Sequence, residues 1–159
     1  MTRSPGAPPD PDELRVDAVL LATEEREFPR EAVELAGRLA ERSDAPVHVF
    51  GIARVWGTSF GFPNPGLQPT RQEWDAQRMN VERAVKALRR RGLRAEGQVL
   101  GTRAAAKRIV QEARRVGAGA IVMGADTPRN RFVADFFWSQ EPYRVRRRAR
   151  IPVYLVVPS

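Results

Sequence analysis

The chain has 159 residues, 42% of them hydrophobic and 29% charged, with a formal net charge of +8; these are the values of one globular domain with a core of ordinary size. It holds no cysteine and a single histidine, His48, which excludes disulfides, thiolate zinc sites, thiol nucleophiles and a histidine-rich metal site. No apolar run approaches the roughly 18–20 residues of a membrane helix, and the N-terminus lacks a signal-peptide profile, so a soluble, cytoplasmic protein with no membrane partner is expected.

The charge is unevenly placed. Residues 1–80 hold 9 Lys/Arg against 13 Asp/Glu, and residues 81–159 hold 18 against 6. A dipole of this kind attracts phosphates or an acidic partner. Solvated helix faces in an arginine-biased chain give the same count, and 25 of the 27 basic residues are arginine.

Residues 1–14 are rich in proline and polar residues, have no apolar periodicity, and read as a disordered arm ahead of one domain, 15–159. Val16 to Thr23 is the first strand; its core Ala18-Val-Leu-Leu-Ala22 is apolar without alternation and therefore central in the sheet. Pro29 suits the first turn of a helix, and Ala32, Leu35, Ala36, Leu39 and Ala40 give that helix one apolar face. The acids Glu24, Glu25, Glu27 and Glu31 lie near its positive end, where the helix dipole accounts for them as well as catalysis does. Ser43-Asp-Ala-Pro46 is a turn, and Val47 to Ala53 is the second strand. A lone strand histidine such as His48 is ordinarily a packed or half-exposed structural residue.

Residues 55–70 form a long Gly/Pro loop with three aromatics, Trp56, Phe60 and Phe62. Loops of this length are often functional; these rings either cap a pocket or partner surface or fold over the sheet edge as a satellite cluster. A helix follows from about Thr70 to Arg91, with Trp74, Val81, Ala84, Val85 and Leu88 on one stripe, ended by Gly92. Leu93 to Leu100 is a third, more polar strand that suits an edge. Gly101 and Thr102 open the next helix, whose buried face is Ala106, Ile109, Val110, Ala113 and Val116, and Gly117 ends it. Ala120 to Met123, bounded by glycines, reads as a strand buried on both faces. A last helix around Ala134–Arg148 precedes a terminal strand, Ile151 to Val157. Strict alternation of strand and helix means an α/β fold with an open parallel sheet, helices on both faces and right-handed crossovers. Ligands of such sheets bind outside the carboxyl ends of the strands, which directs attention to Met123, Gly124 and the loop after them.

Three pieces of the chain resemble the universal stress protein family. Ile109-x3-Ala113-x3-Gly117-Ala-Gly-Ala-Ile-Val-Met-Gly124 is close to its helix-to-strand signature. Ala149-x2-Pro152-Val-Tyr-Leu-Val-Val is similar to its final strand. Ala22-Thr23 leading to Pro29-x2-Ala32-x3-Ala36 is similar to its first loop and helix. The resemblance implies a Rossmann-like sheet of five strands in the order 3-2-1-4-5, with dimerisation through the last strand. One branch of the family binds ATP through Gly-x2-Gly-x9-Gly-Ser/Thr after strand four, where glycines let backbone N–H groups approach the phosphates. Here Gly124 matches the first glycine, but Thr127 stands at the second. The Gly-Ser pair falls on Phe137-Trp138, or on Ser139-Gln140 if the loop is two residues longer. The acidic residue after strand one falls on Glu24, and Glu25 replaces the glycine behind it. The adenine half of a pocket is thus expected to survive while the phosphate cradle is degraded. Arg129 and Arg131 either substitute electrostatically or are exposed loop arginines.

The resemblance therefore implies a stress-response or regulatory protein that acts by association with an unknown protein partner, without catalysis and with no required cofactor. The alternative is an adenine-nucleotide sensor with a modified phosphate loop and weak affinity for ATP or AMP. The candidate nucleotide-binding residues are Ala22, Thr23, Glu24, Ile52, Met123, Gly124, Thr127, Arg129, Arg131, Ser139 and Gln140. A homodimer is expected through Ile151, Val153, Leu155 and Val157, a run with no Lys, Asp or Glu to protect an open edge. The arginines of Arg144-Val-Arg-Arg-Arg-Ala-Arg150 are expected to face water while Val145 and Ala149 are buried, and nucleic acid is not an expected partner. No nucleophile–base pair, Walker-type lysine or metal-ligand cluster is present in the pattern.

Overall fold

The computed structural model describes residues 7–24, 26–54, 58–59, 62–63, 71–125 and 141–157. Among the described residues five strands, β1 (Val19–Glu24), β2 (Val47–Arg54), β3 (Ala95–Thr102), β4 (Ala120–Gly124) and β5 (Val153–Val156), form the main sheet and alternate with four helices, α1 (Arg30–Ser43), α2 (Arg71–Arg90), α3 (Ala105–Val116) and α4 (Glu141–Arg148). A two-residue antiparallel ladder, Thr58–Ser59 with Phe62–Pro63, lies between β2 and α2. In the main sheet every pair is parallel and the order is β3-β2-β1-β4-β5. This is the 3-2-1-4-5 arrangement expected from the sequence, with β3 at one edge and β5 at the other.

β1 and β4 are apolar on both faces because both faces are covered. All six residues of β1 and the first four of β4 are buried. The pleat divides the core in two. Val19, Leu21, Val47, Val49 and Val122 pack with Ala36, Leu39, Val81 and Leu88 under α1 and α2. Leu20, Phe50, Ile121 and Val153 pack with Ile109, Ala113 and Val145 under α3 and α4. Full burial of each large aliphatic or aromatic side chain contributes roughly 1.5–3 kcal/mol.

The expected apolar stripes of the helices are buried except for Leu35, Trp74 and Val116, which are half-buried, and two polar residues join them. Gln77 of α2 and Glu112 of α3 are buried as well. α2 lies close to the sheet because β2 and β3 present glycines beneath it. A Cβ at Gly51 would stand 2.7 Å from Cγ2 of Val81, and one at Gly97 would collide with the other methyl of the same valine. α3 stops at Gly117, whose φ of 69° is left-handed and lets the following amides cap the last carbonyls.

Several boundaries differ from the sequence expectation. β1 starts at Val19 rather than Val16, because the Val16 N–H is taken by Ser43 Oγ at 3.0 Å instead of by a strand. Pro29 is the N-cap of α1, with ψ of 140°, rather than a residue of its first turn. Ser43 is still helical, and the turn falls on Asp44 with φ of 49°. Gly101 and Thr102 do not open α3. They end β3, paired with Ala53 and Arg54, and Thr102 Oγ1 accepts the Ala104 N–H at 3.1 Å just before the helix begins. Residues 134–140 of the expected last helix lie outside the described residues. In the N-terminal stretch, Asp10 Oδ1 accepts the Asp12 N–H (2.9 Å) and the Asp10 carbonyl accepts that of Glu13 (3.0 Å). The Tyr154 hydroxyl donates to the Pro9 carbonyl at 2.7 Å, and Leu14 packs on the α1/α2 core. No helix among the described residues is long and apolar enough to cross a membrane.

Candidate functional site

The chain leaves β1 toward β2 and leaves β4 toward β5, so the carboxyl ends of β1 and β4 flank the point where the winding reverses. Ala22 pairs with Met123, and Glu24 pairs with Ile52. Ala22, Ile52 and Met123 all belong to the α3/α4 side of the core and are at most 1% exposed. The pleat sends Glu24 to the same side, where it is 5% exposed. Four of the expected nucleotide residues thus share one face at one end of the sheet, three apolar side chains in the core and one carboxylate beside them, all of them buried. Glu25 lies outside the described residues.

Thr23 points the other way. Its hydroxyl donates to the Arg26 carbonyl at 3.3 Å, and Asn80 of α2 donates to the same carbonyl at 3.3 Å. Asn80 also donates to Gln77 Oε1 at 3.2 Å, while Gln77 Nε2 is buried without a partner. This polar group fastens the turn after β1 to α2. The sequence reading passed over Gln77 and Asn80, although Gln77 occupies the apolar stripe three residues after Trp74 and four before Val81. Gly124 has a packing reason to be glycine: a Cβ there would lie 2.7 Å from Cγ of Pro29. The end of β4 and the start of α1 are therefore in direct contact, and the Ala125 N–H continues to the Val156 carbonyl at 2.9 Å. Thr127, Arg129, Arg131, Ser139 and Gln140 lie outside the described residues, as do Trp56, Phe60 and the bulky run Phe136-Phe137-Trp138.

The remaining polar groups have structural surroundings. His48 is half-buried in β2 between Leu20 and Glu96, toward the amino end of the strand and away from the winding reversal. Glu112 is buried and ion-paired with Arg115; that hydrogen bond and charge raise the Arg115 pKa above its ordinary value. Val145 is fully buried, Ala149 is half-buried, and Arg144, Arg146, Arg147 and Arg148 face solvent. Among the described residues no three histidine, aspartate or glutamate side chains gather as a metal site.

The two sheet edges differ in which residues turn their backbone outward. In a parallel ladder alternate residues bond to one neighbour. The Ile121 N–H donates to the Pro152 carbonyl (3.0 Å) and Ala125 to Val156 (2.9 Å), so Val153 and Leu155, with Ile151 and Val157 in continuation, aim their N–H and C=O groups at the open side of β5. The Val47 N–H donates to the Arg94 carbonyl at 2.9 Å, so Ala95, Gly97, Val99 and Gly101 form the open row of β3. A small cleft of about 60 Å³ lies by His48, Glu96 and Glu112 on the α3 side, and two larger ones lie on the α1/α2 side. One of about 370 Å³ separates α1 from α2 around Phe28, Val33 and Ala84, and one of about 400 Å³ runs between α2 and β3.

A model of the universal stress protein family matches residues 16–157. A comparison with curated proteins gives no match. Among solved structures the chain is similar to a universal stress protein from Archaeoglobus fulgidus in complex with dAMP (TM-score 0.64, 21% identity, 87% of this chain and 95% of that one). It is also similar to a member of the family from Burkholderia pseudomallei (0.64, 23%, 88% and 95%). A third is a universal stress protein in complex with cAMP (0.64, 21%, 92% and 100%). At these identities the likeness shows the fold.

Proposed function

The chain belongs to the universal stress protein family, and on that premise we propose that it is a cytoplasmic regulatory protein that works by association rather than by catalysis, as a homodimer joined through β5. The observation that carries this reading is the β5 edge. Its outward backbone row falls on Ile151, Val153, Leu155 and Val157, and Val157 is 41% exposed. An edge with unpaired N–H and C=O groups and no charge is a template for the same strand of a second copy. Light scattering at high micromolar concentration tests it. The wild type is expected at the dimer mass and Leu155→Lys at the monomer mass. A monomeric wild type contradicts the proposal.

A second reading, an adenine-nucleotide sensor, is favoured by the convergence of Ala22, Glu24, Ile52 and Met123 on one face. The dAMP and cAMP complexes of similar structures support it, since each ligand is an adenine nucleoside carrying one phosphate. On this reading the adenosine end is held and the phosphates add little, because Thr127 restricts a backbone position where glycine permits close approach. No cofactor is required. Calorimetry with ATP, AMP and adenosine is expected to give weak and similar affinities. Sub-micromolar ATP binding that is lost in Arg129→Ala or Arg131→Ala would instead make the loop after β4 a rewired phosphate cradle.

A further inference from the structure

We propose that the open edge of β3, together with the flank of α2 beside it, is a docking site for an extended acidic segment of a partner protein, which adds to the sheet as a sixth strand. The proposal is independent of the nucleotide reading.

Three observations converge. First, the outward row Gly97, Val99 and Gly101 lies at the sheet edge and pairs with no other strand among the described residues. Ala95 begins this row, and its carbonyl already accepts Arg89 Nε at 3.0 Å, which confirms that the row faces away from β2 and shows an α2 cation reaching it. Second, the cleft of about 400 Å³ lies along this edge, walled by Trp74, Arg78, Glu82, Lys86 and Arg89 of α2 and floored by Gly97 to Val99. The wall and the edge match in length and run antiparallel. Trp74 stands over Gly101, and Val81 and Val85 stand over Gly97. From Trp74 to Arg89 the helix advances about 22 Å, and from Ala95 to Gly101 the strand advances about 20 Å. Third, the wall carries three cations and one acid.

The charge selects the occupant. A second copy of β3 in this place would bring two rows of Arg78, Lys86 and Arg89 together, which like-charge repulsion disfavours. An acidic strand meets them favourably while its backbone bonds to β3. Spacing adds detail. Arg78 and Lys86 are about 12 Å apart along the helix, the reach of about four strand residues. Acids are therefore wanted at positions i and i+4 of the added strand, with a neutral or basic residue at i+2 opposite Glu82.

Calorimetry with a capped heptapeptide tests this: valine at the odd places, glutamate at the second and sixth, threonine at the fourth. Saturable binding to the wild type is expected, and none for the same peptide with lysines in place of the glutamates. Val99→Pro removes an outward N–H without touching the β2 ladder and should weaken binding about tenfold. The double variant Arg78→Glu, Lys86→Glu should reverse the preference and bind the lysine peptide, which carries the test alone if the proline variant does not fold. The proposal is overturned if the glutamate peptide shows no saturable binding up to about 1 mM. It is equally overturned if both peptides bind alike, or if Val99→Pro converts a wild-type dimer to monomer, since β3 would then serve a second copy.

Discussion

The two edges of this sheet end in the same way and are built from different chemistry. β5 turns the backbone groups of Val153 and Leu155 outward in a run without Lys, Asp or Glu, while β3 turns out those of Gly97, Val99 and Gly101 under a helix flank bearing Arg78, Glu82, Lys86 and Arg89. An uncharged apolar edge meets an identical edge without penalty, so it suits a second copy. A cationic edge repels its own image and suits a partner of opposite charge. The difference teaches that an open strand is a general template, and that the side chains around it decide who uses it.

The largest expected effect that separates the edges is on folding. Gly97→Leu forces a side chain against Val81 and Val85, and overpacking of this kind costs roughly 2–3 kcal/mol; Leu155 is only half-buried against the α3/α4 core, and in Leu155→Lys the long side chain can carry its ammonium out to water, so the cost should be smaller, about 1 kcal/mol. Urea unfolding of the two variants checks this, and similar losses would show that β5 is as closely packed as β3. Next in size is salt. Raising sodium chloride to about 0.5 M shortens the screening length to a few ångströms, so peptide binding at β3 should fall several-fold while the dimer mass stays the same. A dimer that dissociates in salt would assign charge to the wrong edge. A smaller effect is expected between the edges. Gly124→Ala places a Cβ 2.7 Å from Pro29 Cγ and should lower stability by about 1 kcal/mol, with weaker adenosine binding as the start of α1 is displaced. The smallest is Thr23→Val, which deletes one 3.3 Å hydrogen bond to the Arg26 carbonyl and should cost about 0.5–1 kcal/mol without changing dimer mass.

Much of the fold was legible in the sequence because burial on two faces leaves a plain mark. Ala18 to Ala22 and Ala120 to Met123 are apolar without alternation, and strands of that kind sit at the centre of a parallel sheet. The more polar 93–100 stretch was readable as an edge for the opposite reason. What failed was local. Gly101 and Thr102 look like a helix start, but Gly101 is glycine because Trp74 lies over it, a Cβ there standing 3.0 Å from Cζ2. That contact joins residues 27 apart and has no short-range signature. Gln77 and Glu112 were likewise hidden, since a polar residue inside an apolar stripe is read as surface until its partners are known. For Glu112 the partner is Arg115, three residues on, a spacing present in the sequence but also common on solvated faces. At the site, the register that brings Ala22, Glu24, Ile52 and Met123 together follows from the strand order, whereas the side to which each points follows only from knowing where β1 begins.

The division of labour between the edges is tested most directly by amide hydrogen exchange followed as a function of protein concentration. The N–H groups of Val153, Leu155 and Val157 face the open side of β5, and those of Gly97, Val99 and Gly101 face the open side of β3. The account predicts that the first set becomes protected as concentration rises through the dimer range while the second set exchanges at a constant rate. Protection that grows at Gly97 and Val99 but not at Val153 and Leu155 would contradict it, because the chain would then pair with itself through the cationic edge.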